Sequence, residues 1–228
     1  LMACEFSPAG AVDALECGII PQANNLTQRT LSAWIYAHSV PDTASSHIFG
    51  AWSGNILGYD IAANYGTCVH FQYSDGGAPG QWKSPDNSLP LNSWVHVAAT
   101  RDTSSSGTVA PIIYIGGTAQ VLTEAVAPAA GTADETGFRY ILGNIYTAAY
   151  LYNRPFDGLI KDARIYNRIL SADEVASLAA GGTVTSGMIF QGPAVYDGDV
   201  TTYTDKTLTV ADKAIDAVYY RVLTPHGE

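Results

Sequence analysis

The sequence predicts an all-β protein, a two-sheet antiparallel sandwich with one short helix and a C-terminal β extension. Short segments rich in β-branched and aromatic residues recur at even spacing, separated by Gly, Ser and Asn, which is typical of antiparallel strands. The central segment 94–100 is apolar on both faces, as expected for a strand inside a sandwich. With 47% hydrophobic and 14% charged residues, the 228-residue chain can fill one large core.

Residues 91–117 are predicted to form two strands, 94–100 and 112–115, joined by a long polar loop. Gly116-Gly117 ends the second strand, because glycine tolerates positive φ. The loop, residues 101–110, is rich in Thr, Ser and Gly and is predicted to lie in solvent. A strand at 31–38 places two sets of side chains on opposite faces, namely Leu31, Ala33, Ile35 and Ala37 against Ser32, Trp34, Tyr36 and His38. We assign Trp34 and Trp94 to the core.

Further strands are predicted at residues 47–52, 59–64, 67–73, 138–143 and 158–166, and a first hairpin over residues 3–18. In the strand 158–166, two sets of side chains should alternate, Leu159, Lys161, Ala163 and Ile165 against Ile160, Asp162, Arg164 and Tyr166. The Gly- and Pro-rich segment 74–90 is predicted to be a loop that carries Trp82.

One helix is predicted over residues 172–180. Ser171 is its N-cap, Glu174 completes a capping box, and Leu170 and Val175 occupy the hydrophobic-staple positions. Gly181-Gly182 ends it. We therefore divide the chain into a main domain, residues 1–182, and a β-type extension or docking arm, residues 183–228, which is too short to form a core alone and should be removable without unfolding the domain.

Three cysteines cannot form a disulfide framework. In the predicted first hairpin Cys4 would face Cys17, near bonding distance. Two interpretations stay open: a Cys4–Cys17 bridge, or three small buried hydrophobic side chains that include Cys68.

Three blocks of sequence together resemble the LamG-like, concanavalin A-like lectin/glucanase jelly-roll family. They are CEFSPAGAVDALECG with LSAWIYAHS, then LNSWVHVAATRDTSSSGTVAPIIYIGG, then FDGLIKDARIYNRILSADEV. The resemblance covers about residues 3–180 and implies two packed antiparallel sheets of six or seven strands each, closed by a short helix. It also implies binding of calcium at a sheet rim and of carbohydrate or protein through loops. Lys161 stands where many members have an acidic residue, so the family's calcium site is not carried over.

No catalytic residues are predicted. Glycosidases of this fold need two carboxylates about 5 Å apart, and no strand here spaces acidic residues in that way. The close acidic pairs Asp197/Asp199 and Asp173/Glu174 fit a turn and a helix cap. Zincin, P-loop, nucleophile-elbow and EF-hand motifs are absent from the sequence. An enzyme whose acids come from separate strands remains the less favoured alternative.

A calcium site is the one cofactor that the sequence leaves open. Its candidate ligands are the loop residues Asp60, Asn64, Asn144 and Asp157, because Ca²⁺ takes six to eight oxygen ligands. A sequence does not show whether these ligands converge, and the favoured interpretation is that they are ordinary turn residues.

The 14 Tyr and 4 Trp residues indicate ligand binding in a chain so poor in charge. Aromatic faces stack on sugars and anchor protein interfaces. The candidate binding residues are Trp52, Tyr59, Tyr65, Trp82, Tyr146, Tyr150 and Tyr152. Packing in the core is the other interpretation for several of them.

The net charge of −10 and the absence of a Lys/Arg cluster disfavour nucleic acid and anionic membranes as partners. The apolar runs are too short for membrane insertion, and LMACEFSPAG lacks signal-peptide features. We expect a non-catalytic attachment module, extracellular or on a virion surface, that recognises a glycan or a surface protein. The alternative is a structural virion protein, a capsid decoration or fibre, that uses the extension to form homo-oligomers or to assemble on a larger particle.

Overall fold

The computed structural model describes residues 3–6, 14–39, 46–51, 55–60, 67–73, 80–103, 109–127, 135–145, 154–192 and 221–222. For 55–60 and 221–222 the description covers the backbone alone. In chain order the strands are β1 (Cys4–Phe6), β2 (Leu15–Ile19), β3 (Gln28–Ala37), β4 (Ser46–Ala51), β5 (Asn55–Asp60), β6 (Cys68–Tyr73), β7 (Gly80–Lys83), β8 (Trp94–Asp102), β9 (Ile112–Ile115), β10 (Thr118–Ala119), β11 (Thr123–Val126), β12 (Arg139–Leu142), β13 (Gly158–Tyr166), β14 (Met188–Gly192) and β15 (Arg221–Val222). The helix α1 spans Ala172–Ala179.

These strands form two antiparallel sheets. The first, sheet A, has seven strands in the order β1-β13-β3-β8-β9-β10, with β14 also paired to β13. The second, sheet B, has eight strands in the order β11-β7-β6-β5-β4-β12-β2-β15. The predicted all-β sandwich with one helix is confirmed, and sheet B is larger than the resemblance implied.

The core lies between the sheets and is built by strand alternation. On β3 one of the two predicted sets, Leu31, Ala33, Ile35 and Ala37, is completely buried. Val97 and Ala99 of β8 extend the same layer, and Val69 and Phe71 of β6 belong to the same hydrophobic cluster. Each large apolar side chain buried in this way stabilises the fold by roughly 1.5–3 kcal/mol.

Helix α1 covers one half of the outer face of sheet A. The predicted capping box is present, because the Ser171 side chain accepts from the Glu174 amide and the Glu174 carboxylate accepts from the Ser171 amide. The helix ends where Gly181 adopts φ +83°. Its buried side chains, Val175 and Leu178, pack in a second hydrophobic cluster with Leu170 and with the sheet residues Ala98, Tyr114 and Tyr166.

A β-bulge interrupts β13 at Asp162, whose φ is +53°. Lys161 pairs with Trp34 and Arg164 with Ser32, so three steps on β13 match two on β3. The extra residue reverses the alternation beyond it. The predicted alternation of 158–166 is therefore wrong in its second half: Ile160, Ala163 and Ile165 are all in the core. Lys161 and Arg164 were predicted to lie on opposite faces of the strand, but both lie on its outer face.

The predicted hairpin over residues 3–18 is also wrong. β1 pairs with β13 in sheet A, whereas β2 pairs with β12 in sheet B. Each strand thus completes a different sheet. All three cysteines are free thiols in this structure. Burial raises the pKa of Cys4 to about 11 and that of Cys17 well above its usual value.

Two segments predicted as loops contain strand residues. Residues 80–83 of the predicted loop 74–90 form β7, which pairs with β6 and β11. β8 continues to Asp102, so Arg101 does not lie in solvent. Its guanidinium carbon lies 3.1 Å from the centre of the Tyr73 ring, and the side chain is buried. A stack of a guanidinium on an aromatic ring explains how a charged residue is accommodated there.

Part of the predicted C-terminal extension belongs to the sandwich. Residues 188–192 form β14 on the edge of β13, next to the half of that strand that β1 leaves unpaired. Phe190 of β14 is buried in the main core and stacks on Phe49 with ring centres 5.5 Å apart. Of the remaining extension, the structure describes residues 183–187 and β15, which pairs with β2. The role of the extension, residues 183–228, as a docking arm stays a prediction.

Candidate ligand-binding face

The half of the outer face of sheet A that α1 does not cover carries aromatic and cationic side chains. We call Trp34, Tyr36, Trp94, His96 and Lys161 the aromatic face. Strand register brings them together in two adjacent rows. Lys161 of β13 lies beside Trp34 of β3, which lies beside His96 of β8. In the next row, Tyr36 of β3 lies beside Trp94 of β8.

The rings of the aromatic face contact one another edge to face. Ring centres are 5.8 Å apart for Tyr36 and Trp94 and 5.6 Å apart for Trp34 and His96. Trp94 is 36% exposed, and Trp34 and Tyr36 are half-buried. Edge-to-face contacts hold the rings in fixed orientations, so the surface is ordered before any ligand arrives.

Lys161 lies over the indoles. Its Nζ is 4.0 Å from the centre of the Trp94 ring and 5.6 Å from that of Trp34. The side chain is half-buried. Contacts of this kind are worth about 0.5–1 kcal/mol at exposed sites, so the ammonium group is held loosely enough to be moved by a ligand.

A cleft of about 310 Å³ continues the aromatic face towards the end of α1. It is lined by Trp34, Lys161, Asp162, Arg164, Gly181, Gly182 and Thr183. Both oxygens of Asp162 accept hydrogen bonds from Arg164, each at 2.7 Å, and Gln191 donates to Oδ1. The negative charge of Asp162 at the floor of the cleft is thus balanced by the positive charge of Arg164. Gly182, on the edge of the cleft, packs closely against α1, since a Cβ there would lie 2.4 Å from Ser177 Oγ.

His96 lies beneath the aromatic face and is 2% exposed. Among the described residues its Nδ1 has no hydrogen-bond partner. Burial lowers the pKa of His96 to about 4, while nearby Asp162 raises it and Arg164 lowers it. The imidazole is therefore neutral at physiological pH and contributes an aromatic edge rather than a charge.

Of the seven binding residues predicted from the sequence, the structure describes the side chain of Trp82 and the backbone of Tyr59. Trp82 lies on β7 and is 1% exposed, so its placement on a loop surface is wrong; its ring packs inward, 5.6 Å from the Arg101 guanidinium carbon. Tyr59 lies on β5, of which the backbone alone is described. Trp52, Tyr65, Tyr146, Tyr150 and Tyr152 fall outside the described residues, and their role stays a prediction.

Of the four candidate calcium ligands, the structure describes the side chains of two, Asn144 and Asp157. Asn144 is buried, and its Oδ1 accepts from the amides of Ile145 and Arg154, both at 2.9 Å. Asp157 accepts from the Ser39 hydroxyl and lies 3.8 Å from His38 Nδ1. Both side chains thus stabilise turns. Asp60 is described by its backbone, and Asn64 lies outside the described residues. Within the described ranges, no three His, Cys, Asp or Glu side chains converge as metal ligands.

Sequence reasoning missed the aromatic face because it assigned Trp34 and Trp94 to the core. The signal was present in the alternation of β3, where Trp34 and Tyr36 share a face with Ser32 and His38 rather than with Leu31 and Ile35. In a one-sided strand the polar-bearing face is the outer one. Lys161 could not have been added to this set, because its side depends on the bulge.

The sheet order, the helix over one sheet and the uncovered aromatic face define a jelly-roll sandwich of the lectin-like class. The chain belongs to the concanavalin A-like lectin/glucanases superfamily, since the Laminin_G_3 family model matches residues 18–176. The resemblance noted in the sequence is confirmed.

Solved structures share this fold at low sequence identity. A Bacteroides ovatus ATCC 8483 protein to which carbohydrate binding is ascribed matches with a TM-score of 0.61 and 18% identity, over 83% of this chain and 50% of that chain. The chain thus spans half the length of that protein. The heptameric SAP-like pentraxin of Limulus polyphemus matches with a TM-score of 0.55 and 14% identity, over 78% of this chain and 80% of that one. The CBM40 of the Ruminococcus gnavus IT-sialidase matches with a TM-score of 0.53 and 16% identity, over 80% of this chain and 99% of that one.

A comparison with curated proteins finds no match in sequence. In the part of the chain that the structure describes, no helix has the length and hydropathy that crossing a membrane requires.

Proposed function

We propose that this chain is a non-catalytic carbohydrate-binding module, lectin-like in function, whose ligand stacks on the aromatic face. The observation that carries the proposal is the ordered, partly exposed pair Tyr36 and Trp94, with Lys161 and a cleft beside it. Flat aromatic surfaces bind the C–H faces of sugar rings, and adjacent polar groups orient the hydroxyls.

The size of the site fits a saccharide. A cleft of about 310 Å³ falls at the lower end of the range for small-molecule sites. Asp162 and Thr183 line it and offer polar atoms at the end of the aromatic rows. The structural similarity to the Ruminococcus gnavus CBM40, which has been seen bound to α2,3-sialyllactose, supports the same class of ligand.

The proposed absence of catalysis rests on the state of the buried acids. Within the described ranges the buried carboxylates are Glu135 and Asp162. Glu135 accepts from Arg29 Nη1 at 2.5 Å and from the Tyr140 hydroxyl at 3.0 Å. Asp162 is held by Arg164 and Gln191. A glycosidase requires one free acid to donate a proton and a second carboxylate opposite it, and neither residue is so disposed.

Glycan-array screening followed by calorimetry tests the proposal. The wild-type protein should bind at least one glycan class at millimolar concentration or below. Trp94→Ala should weaken that binding at least tenfold. The matched control is Phe138→Ala, because Phe138 is an aromatic residue of similar exposure, 37%, that immediately precedes β12 of sheet B. Absence of glycan binding at millimolar ligand, or equal weakening by both substitutions, would overturn the proposal.

The alternative is a structural virion protein that assembles through its C-terminal extension. Its test begins after Gly192, since β14 pairs with β13, and the truncated chain must first be shown to fold, because the deletion also removes β15 from the edge of sheet B. Deletion of residues 193–228 should then change the oligomeric state measured by light scattering if the alternative holds. An extracellular or virion-surface location is part of both proposals.

A further inference from the structure

We propose that the aromatic face selects saccharides that carry a carboxylate, and that Lys161 is the residue that recognises the charge. This inference rests on the proposed function and narrows its ligand to acidic sugars of the uronic-acid or sialic-acid type. It follows from the charge environment of Lys161, from the contact between its ammonium and the indole of Trp94, and from the position of the acidic side chains around the face.

Lys161 carries a charge that its described surroundings do not balance. Within the described ranges, no carboxylate lies within ion-pair distance of its Nζ. The adjacent residue, Asp162, already receives two hydrogen bonds from Arg164 and one from Gln191. The ammonium of this half-buried residue instead lies over two indole faces. An aromatic quadrupole offsets a positive charge less completely than a carboxylate does.

A neutral sugar would compete with Lys161 for the same ring. With Nζ 4.0 Å from the centre of the Trp94 ring, a saccharide that stacks on that face displaces the ammonium into solvent and loses the contact. An acidic sugar avoids this loss. Its carboxylate can accept from the displaced ammonium while its C–H face covers the indole, so the displaced charge gains a stronger partner.

The positions of the acids determine where the ligand carboxylate can lie. Asp162 and Arg164 at the floor of the cleft are already paired with each other, so the Arg164 guanidinium is not free to recognise the ligand carboxylate, whereas the Asp162 oxygens and the Thr183 hydroxyl suit sugar hydroxyls. Glu5 of β1 is exposed and pairs with Leu159, which in turn pairs with Tyr36, so it lies at the far end of the row that contains Trp94. Lys161 is the cation of the aromatic face that has no carboxylate partner among the described residues, so the ligand carboxylate lies beside its ammonium and on the side away from Glu5.

Calorimetric titration with paired ligands tests the inference. The probes are trigalacturonate with its carboxyl-reduced counterpart, and sialyllactose with lactose. The wild-type protein should bind at least one acidic member at least tenfold more tightly than its neutral partner. Lys161→Met, which keeps the apolar stem, should remove this preference, and Lys161→Arg should keep affinity within about threefold. Arg139→Met is the matched control, because it removes one positive charge from the exposed surface of sheet B.

The outcomes separate this inference from the proposed function. Binding of neutral and acidic members with equal affinity, or an acidic preference that survives Lys161→Met, overturns the inference and leaves carbohydrate binding intact. Loss of the preference through tighter binding of neutral sugars alone, with the affinity for acidic members unchanged, also overturns it, because Lys161 would then only obstruct the ring and not recognise a ligand. If no glycan of any class binds while the thermal melts show folded protein, the proposed function fails together with the inference.

Discussion

The ammonium nitrogen of Lys161 lies 4.0 Å from the centre of the Trp94 ring although β3 separates their strands. The contact depends on one extra residue. The bulge at Asp162 lets Lys161 and Arg164 point to the same side of sheet A, so that one cation over the indoles and one paired with a carboxylate lie on the same face. Bulges often re-aim side chains next to functional sites, and here the bulge supplies the polar end of the aromatic face.

The first prediction concerns the ion pair at this bulge. Asp162→Asn should lower the free energy of unfolding by about 3 kcal/mol, because it leaves the largely buried Arg164 guanidinium without its carboxylate. Urea denaturation measures the change. Glu16→Gln serves as the control, since Glu16 pairs with Arg139, which is 53% exposed, and such pairs contribute under about 1 kcal/mol. Equal losses in both variants would contradict the assignment.

A second buried ion pair joins the two sheets. Arg29 of β3 and Glu135 are each 2% exposed, and the Tyr140 hydroxyl of β12 donates to the same carboxylate. Glu135→Gln should therefore destabilise the fold by roughly 3–5 kcal/mol, because a buried charge loses its partner. The exposed β11 residue Glu124 provides the control substitution, Glu124→Gln, which should change stability by less than about 0.5 kcal/mol. A destabilisation of under 1 kcal/mol by Glu135→Gln would be inconsistent with this arrangement.

Stability should depend on pH through three buried histidines. Burial lowers the pKa of His70 and of His96 to about 4 each and that of His47 well below its usual 6.5. Below pH 6.5 the unfolded chain takes up protons that the folded protein does not. The stability is therefore complete above pH 6.5 and declines as the pH falls towards 4, with a slope of up to about 1.4 kcal/mol per pH unit for each histidine.

Chemical denaturation between pH 7 and 5 measures this slope, and His70→Gln should reduce it by about one histidine's share. The range avoids Glu174, whose pKa is lowered to about 2 by the hydrogen bond from Arg168 and whose contribution is lost below about pH 4.5. His70 faces the same side of sheet B as His47, with Gly58 between them in the register and the ring centres 6.3 Å apart. An unchanged slope in the variant would contradict the prediction, because His70 would then take up its proton as readily in the folded protein as in the unfolded chain.

The sequence was sufficient where local rules determine structure. The capping box at Ser171, the Gly116-Gly117 turn and the alternation of β3 were all predicted and are present. Prediction from the sequence failed where contacts between residues far apart in the chain determine which strands pair. β1 and β2 have the composition of a hairpin, but each pairs with a late strand, β13 or β12, in a different sheet. Turn composition alone cannot distinguish these arrangements.

The candidate site illustrates the same limit. Alternation places Trp34 and Tyr36 on one face of β3, yet whether that face is covered depends on where α1 packs. The side of the sheet on which Lys161 lies could not be predicted, because the strand is interrupted at Asp162 by a residue with positive φ. This conformation is uncommon for residues other than glycine, and composition does not indicate it. Trp82 is buried because β7 pairs with β6, where Trp82 lies opposite Phe71. The sequence predicted a strand for the β6 segment but a loop for the β7 segment.

The last prediction concerns the boundary of the domain. Phe190 is 2% exposed and stacks on Phe49, and β14 covers an edge of β13 that would otherwise lack a partner. Phe190→Ala should lower the free energy of unfolding by about 3–5 kcal/mol, since it removes a large side chain from the core. The control for this substitution is Ile189→Ala, at a half-buried position on the same strand. Chains ending at Gly182 should accordingly unfold at lower urea concentration than chains ending at Gly192. Equal midpoints for the two truncated chains would show that the sandwich is complete without β14, and that the whole segment from residue 183 acts as an appendage.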